Sequence, residues 1–128
     1  MRISLDHVHL FSSNLATTVG FFTEMLGATV VWDEEAAGVR NVRLALGRGF
    51  IHLYDQPPKG DRAGAMHNVG IETHDLDALM ARMKTKGFAF RNAVRDHAKF
   101  RYVMIAGPDD LLIELFQCLE PERWQITA

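Results

Sequence analysis

The two halves of this chain carry the same sequence pattern, and this repeat limits the possible folds more than any other feature. The segments that align with each other are LDHVHL with MHNVGI, and FIHLYD with LIELFQ. The first segment of each half precedes a potential helix cap, Asn14 or Asp75, at the same spacing. A repeat of this kind indicates one supersecondary unit used twice. Since each unit is too small to bury its own sheet face, we expect the two units to pair.

Each half is predicted to contain one strand, one helix and three further strands. The helices show apolar residues at helical spacing between a capping residue and a glycine, from Asn14 to Gly27 and from Asp75 to Gly87. The predicted strands are 3–11, 29–32, 39–46, 50–54, 66–73, 88–91, 100–105 and 111–116. We therefore predict an α+β fold in which two βαβββ modules form a curled mixed sheet around a cleft. The predicted modules, linker and tail are 1–56, 66–118, 57–65 and 119–128, in that order.

Charge and composition exclude several classes of function. The chain has 128 residues, of which 48% are hydrophobic and 23% charged, and its net charge is −2. Its Lys and Arg residues are scattered, so a nucleic-acid partner is not expected, and no apolar run is long enough to span a bilayer. The single cysteine, Cys118, cannot form an internal disulfide, which fits a reducing compartment. We expect a cytoplasmic protein with a small-molecule partner.

Strand parity places polar side chains on the face that points away from the helices. Apolar residues such as Ile51 and Leu115 occupy the helix-facing parity, so the opposite parity faces the cleft. The polar residues at that parity are His7, His9, His52, Asn68 and Glu114. Imidazoles and one carboxylate in a sheltered cleft are a ligand set for a divalent transition metal, so His7, His52 and Glu114 are the predicted ligands. The alternative is that each histidine is half-buried and hydrogen-bonded to backbone.

Other residues of the predicted cleft receive supporting roles. His9 lies two residues from His7 on the same face, which is near enough for acid or base catalysis. The alternative for His9 is a cleft-lining residue without a catalytic task. Asn68 and Tyr102 are predicted to contact the substrate. A solvated face is the simplest interpretation of the arginines, although they could bind an anionic substrate group: Arg40, Arg43, Arg95 and Arg101.

These motifs resemble the vicinal oxygen chelate superfamily, which includes glyoxalase I, methylmalonyl-CoA epimerase, extradiol dioxygenases, fosfomycin-resistance enzymes and bleomycin-resistance proteins. The resemblance runs from LDHVHLFSSNLATTVGFFTEMLG to PDDLLIEL, which is nearly the whole chain. In that superfamily, ligands come from the first and last strand of each unit, and those positions are here His7, His52, Asn68 and Glu114.

Two of these positions depart from the superfamily pattern. Asn68 stands where its enzymes commonly have His, with His67 one residue early. By parity His67 points to the helix side, so it could reach a metal only through a β-bulge. His52 stands where isomerases and epimerases often have Glu or Gln. A histidine is therefore missing at residue 68 and present at residue 52, so the number of histidines is unchanged.

The resemblance implies a metal-dependent enzyme that acts on a small organic substrate held through two adjacent oxygens, with Fe, Mn, Ni, Co or Zn as the metal. Two histidines with one carboxylate favour dioxygenase chemistry. Lyase or isomerase chemistry of the glyoxalase or epimerase type is the first alternative. A non-catalytic ligand-binding protein, like the bleomycin-resistance members, is the second. In this superfamily, units pair within one chain or between two chains. A homodimer is expected, because short chains of this kind seldom stand alone.

Overall fold

Two four-stranded sheets form the framework of the protein, one in each half of the chain. The computed structural model describes residues 1–36, 38–59 and 66–120. The chain divides into two compact units, Met1–Arg62 and Ala63–Ala128, and each has the order strand, helix, three strands. The predicted α+β architecture of two βαβββ modules is confirmed. Most of the predicted linker and of the predicted tail lies outside the described residues.

The first sheet has the strand order β1-β4-β3-β2, in which β1 is parallel to β4 and the other neighbours are antiparallel. Its strands are β1 His7–Phe11, β2 Thr29–Ala36, β3 Val39–Leu46 and β4 Gly49–Tyr54. Helix α1 Leu15–Gly20 follows β1 and begins after Asn14, whose side chain accepts a hydrogen bond from the Thr17 amide. Gly47, with φ of 59°, permits the tight turn that joins β3 to β4.

The second sheet repeats this arrangement with the strand order β5-β8-β7-β6. Its strands are β5 Val69–Glu72, β6 Arg95–Asp96, β7 Phe100–Ala106 and β8 Leu112–Cys118. Helix α2 Leu76–Thr85 begins after the predicted cap Asp75, whose side chain accepts a hydrogen bond from the Ala78 amide. The described residues contain no helix with the length and apolarity needed to cross a membrane.

Alternation along the strands separates a buried apolar face from a more polar one. On β4, Ile51 and Leu53 are buried, whereas His52 and Tyr54 between and after them are half-buried. The same alternation occurs on β8, where half-buried Glu114 lies between two fully buried neighbours. This burial agrees with the parity assigned from the sequence, so the polar positions lie on the face opposite each buried core.

Two predicted strands begin later than the alternation suggests. β1 begins at His7 rather than at residue 3, and β5 begins at Val69 rather than at residue 66. The parallel partners β4 and β8 begin at Gly49 and Leu112, and the first residue pairs are His7 with Phe50 and Val69 with Ile113. In this register, residues 3–5 and 66–67 of the predicted strands would extend past the ends of their partners. Alternation without a hydrogen-bonding partner does not make a strand.

The predicted strand at 88–91 is wrong, since these residues are irregular and the two-residue β6 follows them at Arg95–Asp96. The side chain of Asn92 donates to the Met104 carbonyl of β7 at 2.9 Å. This carbonyl is therefore bound by a side chain, and not by the backbone of a neighbouring strand.

The predicted helix at 15–27 is regular only to Gly20 and continues as a π-helical turn, Phe21–Met25. There the Thr23 hydroxyl donates to the Val19 carbonyl at 2.8 Å, a bond that competes with the helical pattern.

A candidate metal centre on the first sheet

Three histidines meet on one face of the first sheet, which we call the imidazole face. His7 and His9 share a side of β1, and the parallel pairing of β1 with β4 sets His52 opposite His9. One candidate ligand nitrogen from each ring lies within 4.8 Å of the other two. Metal–imidazole bonds are about 2.0–2.1 Å long, so nitrogens that share one ion lie at most about 4.2 Å apart, and side-chain rotation would bring these three rings to that range. The donor chemistry therefore fits a divalent transition metal.

His7 and His9 each have one ring nitrogen fixed by a neighbouring acceptor. Nδ1 of His7 donates to the Asp6 carboxylate at 2.9 Å, which leaves Nε2 with its lone pair. Nε2 of His9 donates to Oδ1 of Asn41 at 3.2 Å, which leaves Nδ1 with its lone pair. Asn41 is buried, and its own amide donates to the Val39 carbonyl, which turns its oxygen towards His9. Metal-binding histidines usually have their second nitrogen anchored in this way.

The hydrogen-bond partner of His52 is a donor rather than an acceptor. Nη1 of Arg43 lies 2.7 Å from Nε2 of His52. A guanidinium can only donate, so Nε2 accepts this hydrogen bond and the neutral ring carries its proton on Nδ1. In this arrangement His52 presents an N–H group, and no free lone pair, to the rest of the imidazole face.

Arg43 is held in place from several sides. Its guanidinium donates to both oxygens of Asp6, at 2.7 and 3.3 Å, and lies over the Phe50 ring at 3.7 Å from the ring centre. The Arg43 side chain is only 17% exposed. Asp6 therefore connects His7 to Arg43, and Arg43 connects Asp6 to His52.

The surroundings lower the pKa of both Asp6 and His52, which keeps Asp6 charged and His52 neutral. The hydrogen bonds from Arg43 and His7 hold the pKa of the Asp6 carboxyl well below its usual value, so Asp6 stays an anion. Burial lowers the pKa of His52 from its usual 6.5, and the charges of His7, Arg43 and His9 lower it further. His52 is thus a neutral imidazole at neutral pH, which agrees with its acceptance of a hydrogen bond from Arg43.

The first unit brings together three of the histidines that the sequence analysis selected, including His9. Glu114, Asn68 and Tyr102 belong to the second unit. On β8, Glu114 pairs with Gly70 of β5 and Met104 of β7. Tyr102 on β7 is half-buried. The roles of these residues, and of His9 as an acid or base, stay predictions.

The neighbours His67 and Asn68 bind each other. Nδ1 of His67 donates to Oδ1 of Asn68 at 2.7 Å, and His67 is exposed. In this arrangement the His67 ring occupies one of the two lone pairs of the Asn68 amide oxygen. The ring of His67 serves to orient Asn68, which precedes β5 directly.

Sequence reasoning missed the residues around the imidazoles. Arg43 and Arg101 were expected on a solvated face, but both are half-buried; Arg101 pairs with Asp77 and Asp96. The Gly47 turn is the sequence feature that could have identified Arg43 as a neighbour of His52. A tight turn there pairs Leu46 with Gly49 and, counting back along the hairpin, places Arg43 opposite His52.

Comparison with solved structures finds the same fold in several proteins. TnmS3, an antibiotic-binding protein from Streptomyces sp. CB03234, is 24% identical over 92% of this chain and 98% of its own, with a TM-score of 0.77. The fosfomycin resistance protein FosX from Listeria monocytogenes, complexed with Mn(II) and sulfate, is 16% identical over 98% of this chain and 100% of its own, with a TM-score of 0.72. A glyoxalase/bleomycin resistance protein from Streptomyces sp. CB03234 is 23% identical over 88% of this chain and 98% of its own, with a TM-score of 0.70. At these identities the likeness shows the fold alone.

Family assignment rests on the sequence itself. A search of curated proteins finds no significant match. A family model matches residues 4–115, which is most of the chain. The chain therefore belongs to the Glyoxalase/Bleomycin resistance protein/Dioxygenase superfamily.

Proposed function

We propose that the protein is a metal-dependent enzyme that acts on a small organic substrate chelated through two adjacent oxygens. The observation that carries this proposal is the convergence of nitrogens from His7, His9 and His52 within 4.8 Å. The fold likeness to FosX, whose structure contains Mn(II), supports it. Fe, Mn, Ni, Co and Zn all suit a site of imidazoles and carboxylate. The homodimer and the cytoplasmic location stay predictions.

His7 is the best-prepared ligand of the proposed site. Its Nε2 is free, and the Asp6 carboxylate holds the opposite nitrogen, which fixes the orientation and tautomer of the ring. His52 and Glu114 complete the predicted set; Glu114 lies in the second unit. Asn68 and Tyr102 are the predicted substrate contacts.

His9 serves as the proton acceptor in this proposal. Asn41 fixes the proton of His9 on Nε2, so Nδ1 is available as a base or as a further ligand. The ring is exposed, so a bound substrate could reach it. A divalent transition metal would act as a Lewis acid on the substrate oxygens, and iron would add O2 chemistry, which is the dioxygenase reaction that we favour. With nickel, cobalt or zinc, lyase or isomerase chemistry would be expected instead.

Ligand binding without catalysis is the second candidate function. The hydrogen bond from Arg43 to His52 favours it, because it uses the lone pair that a third imidazole ligand would need. The fold likeness to TnmS3, described as an antibiotic-binding protein, supports the same candidate.

Metal content distinguishes the two candidates. We expect about one transition metal per chain after purification without chelator, and almost none in His52→Ala or Glu114→Ala. His74→Ala, which changes an exposed histidine of the second unit, is the matched control and should keep its metal. Iron in the parent would support oxygenation. If the parent contains no metal even after reconstitution, the enzyme proposal is wrong and ligand binding is the better account.

A further inference from the structure

We propose that Arg43 is a positioning residue that competes with the metal for His52, and that it must release this imidazole before His52 can become a ligand. The inference rests on the proposed metal site. It concerns how this chain controls access to one of the three histidines, whichever reaction follows.

The hydrogen bonds of the three histidines give the first argument. His7 and His9 donate from one ring nitrogen to an oxygen and retain a lone pair on the other. His52 instead accepts from the Arg43 guanidinium and has a proton on its other nitrogen. A metal binds a deprotonated nitrogen, so His52 has no ligand atom to offer while Arg43 is bound to it.

Ring geometry is the second argument and is independent of protonation. The rings of His7 and His52 are stacked, with centroids 3.7 Å apart and an interplanar angle of 12°. An imidazole binds a metal in its own ring plane at about 2 Å. Two nearly parallel planes at this separation have no shared point at that distance from both rings. His52 must therefore rotate out of the stack to join His7 on one ion.

The anchoring of Arg43 explains why His52 stays in this position. Asp6 holds the guanidinium through two hydrogen bonds and Phe50 covers it, so Arg43 is a fixed donor rather than a mobile surface group. Asp6 also binds His7. The same carboxylate thus prepares His7 as a ligand and holds the residue that occupies His52.

The test measures the affinity for Zn²⁺ by calorimetry in the parent, Arg43→Leu and Arg43→Lys. Leucine removes the donor and the charge and cannot bind metal. Lysine keeps the charge but loses the planar fork that fits Asp6. We expect both variants to bind Zn²⁺ about tenfold more tightly or better, since a hydrogen bond to a charged group is lost from the competing state. Arg40→Leu is the matched control, because Arg40 also lies on β3 and pairs through two hydrogen bonds with a carboxylate, Asp33.

Three results would overturn the inference in different ways. Tighter binding by the leucine variant alone would mean that any cation at position 43 limits the affinity, and that the fixed guanidinium of Arg43 is not what limits it. Binding equal to that of Arg40→Leu in both variants would show that Arg43 does not compete with the metal for His52, and it would not contradict the proposed metal site. No binding by any protein, parent included, would overturn the proposed metal site itself.

Nitrogen-15 NMR of the metal-free parent gives a second readout that needs no variant to fold. The expected signal is His52 with its proton on Nδ1 and an acceptor at Nε2. A proton on Nε2 would overturn the inference directly. Trp32, whose ring centre lies 5.3 Å from that of His52, reports the rotation of His52 by fluorescence on Zn²⁺ addition in a Trp124→Phe background.

Discussion

At the scale of single residues, the partner of each imidazole decides what that imidazole can do. His7 and His9 each bind an oxygen acceptor and keep a lone pair, whereas His52 binds a donor and does not. All three are histidines at the same strand parity, so the sequence pattern places them on one face but cannot separate their roles. The separation depends on Asp6, Asn41 and Arg43, whose positions follow from strand register.

The lowered pKa of His52 predicts a loss of stability in acid. Its pKa in the folded protein lies below the usual 6.5, because burial and nearby cations disfavour the imidazolium. As pH falls through 6.5, the unfolded chain takes up a proton that folded His52 refuses, so the free energy of unfolding decreases until the folded pKa is passed. Urea unfolding between pH 8 and 5 should show a smaller decrease for His52→Asn than for the parent.

An NMR titration of the His52 ring measures the lowered pKa on which this prediction depends. The expected midpoint lies below 6.5 in the metal-free protein. A midpoint at or above 6.5 would contradict the description of His52 as a neutral, half-buried acceptor of a hydrogen bond from Arg43.

At the scale of elements, strand pairing sets the site and helix caps support the sheets behind it. The alternation of β4 and β8 and both N-caps were predictable, because local sequence determines them. The start of β1 and the absence of a strand at 88–91 were not, because they depend on where a partner strand ends. The bond from the Leu76 amide to the Gln117 side chain, at 2.9 Å, similarly joins the start of α2 to β8.

The cap of α2 is expected to stabilise the second unit measurably. Replacing Asp75 by alanine removes the acceptor of the Ala78 amide and should cost about 0.5–2 kcal/mol in the free energy of unfolding. Asp75→Asn keeps an acceptor at the cap and should retain most of that stability. Equal losses in the two variants, measured by urea unfolding, would show that the carboxylate charge matters rather than the hydrogen bond.

At the scale of the whole molecule, one βαβββ unit occurs twice with different chemistry on its polar face. The first unit carries the imidazoles and a guanidinium, while the second carries Glu114 on β8 and the aromatic pair Tyr102 and Phe116 on β7 and β8. The repeat in the sequence was sufficient to predict both modules, since each copy repeats the same alternation and capping. It could not predict Arg43 as a partner of His52, because the two copies do not share that residue pair.

X-ray absorption at the metal edge of Zn²⁺-loaded protein tests the central claim most directly, since it identifies the atoms bound to the ion. The claim predicts at least two imidazole rings in the first shell, at about 2.0–2.1 Å, from the cluster of His7, His9 and His52. The imidazole count should fall in His7→Ala and stay unchanged in the His74→Ala control. A first shell with one imidazole or none would contradict a metal centre on the imidazole face.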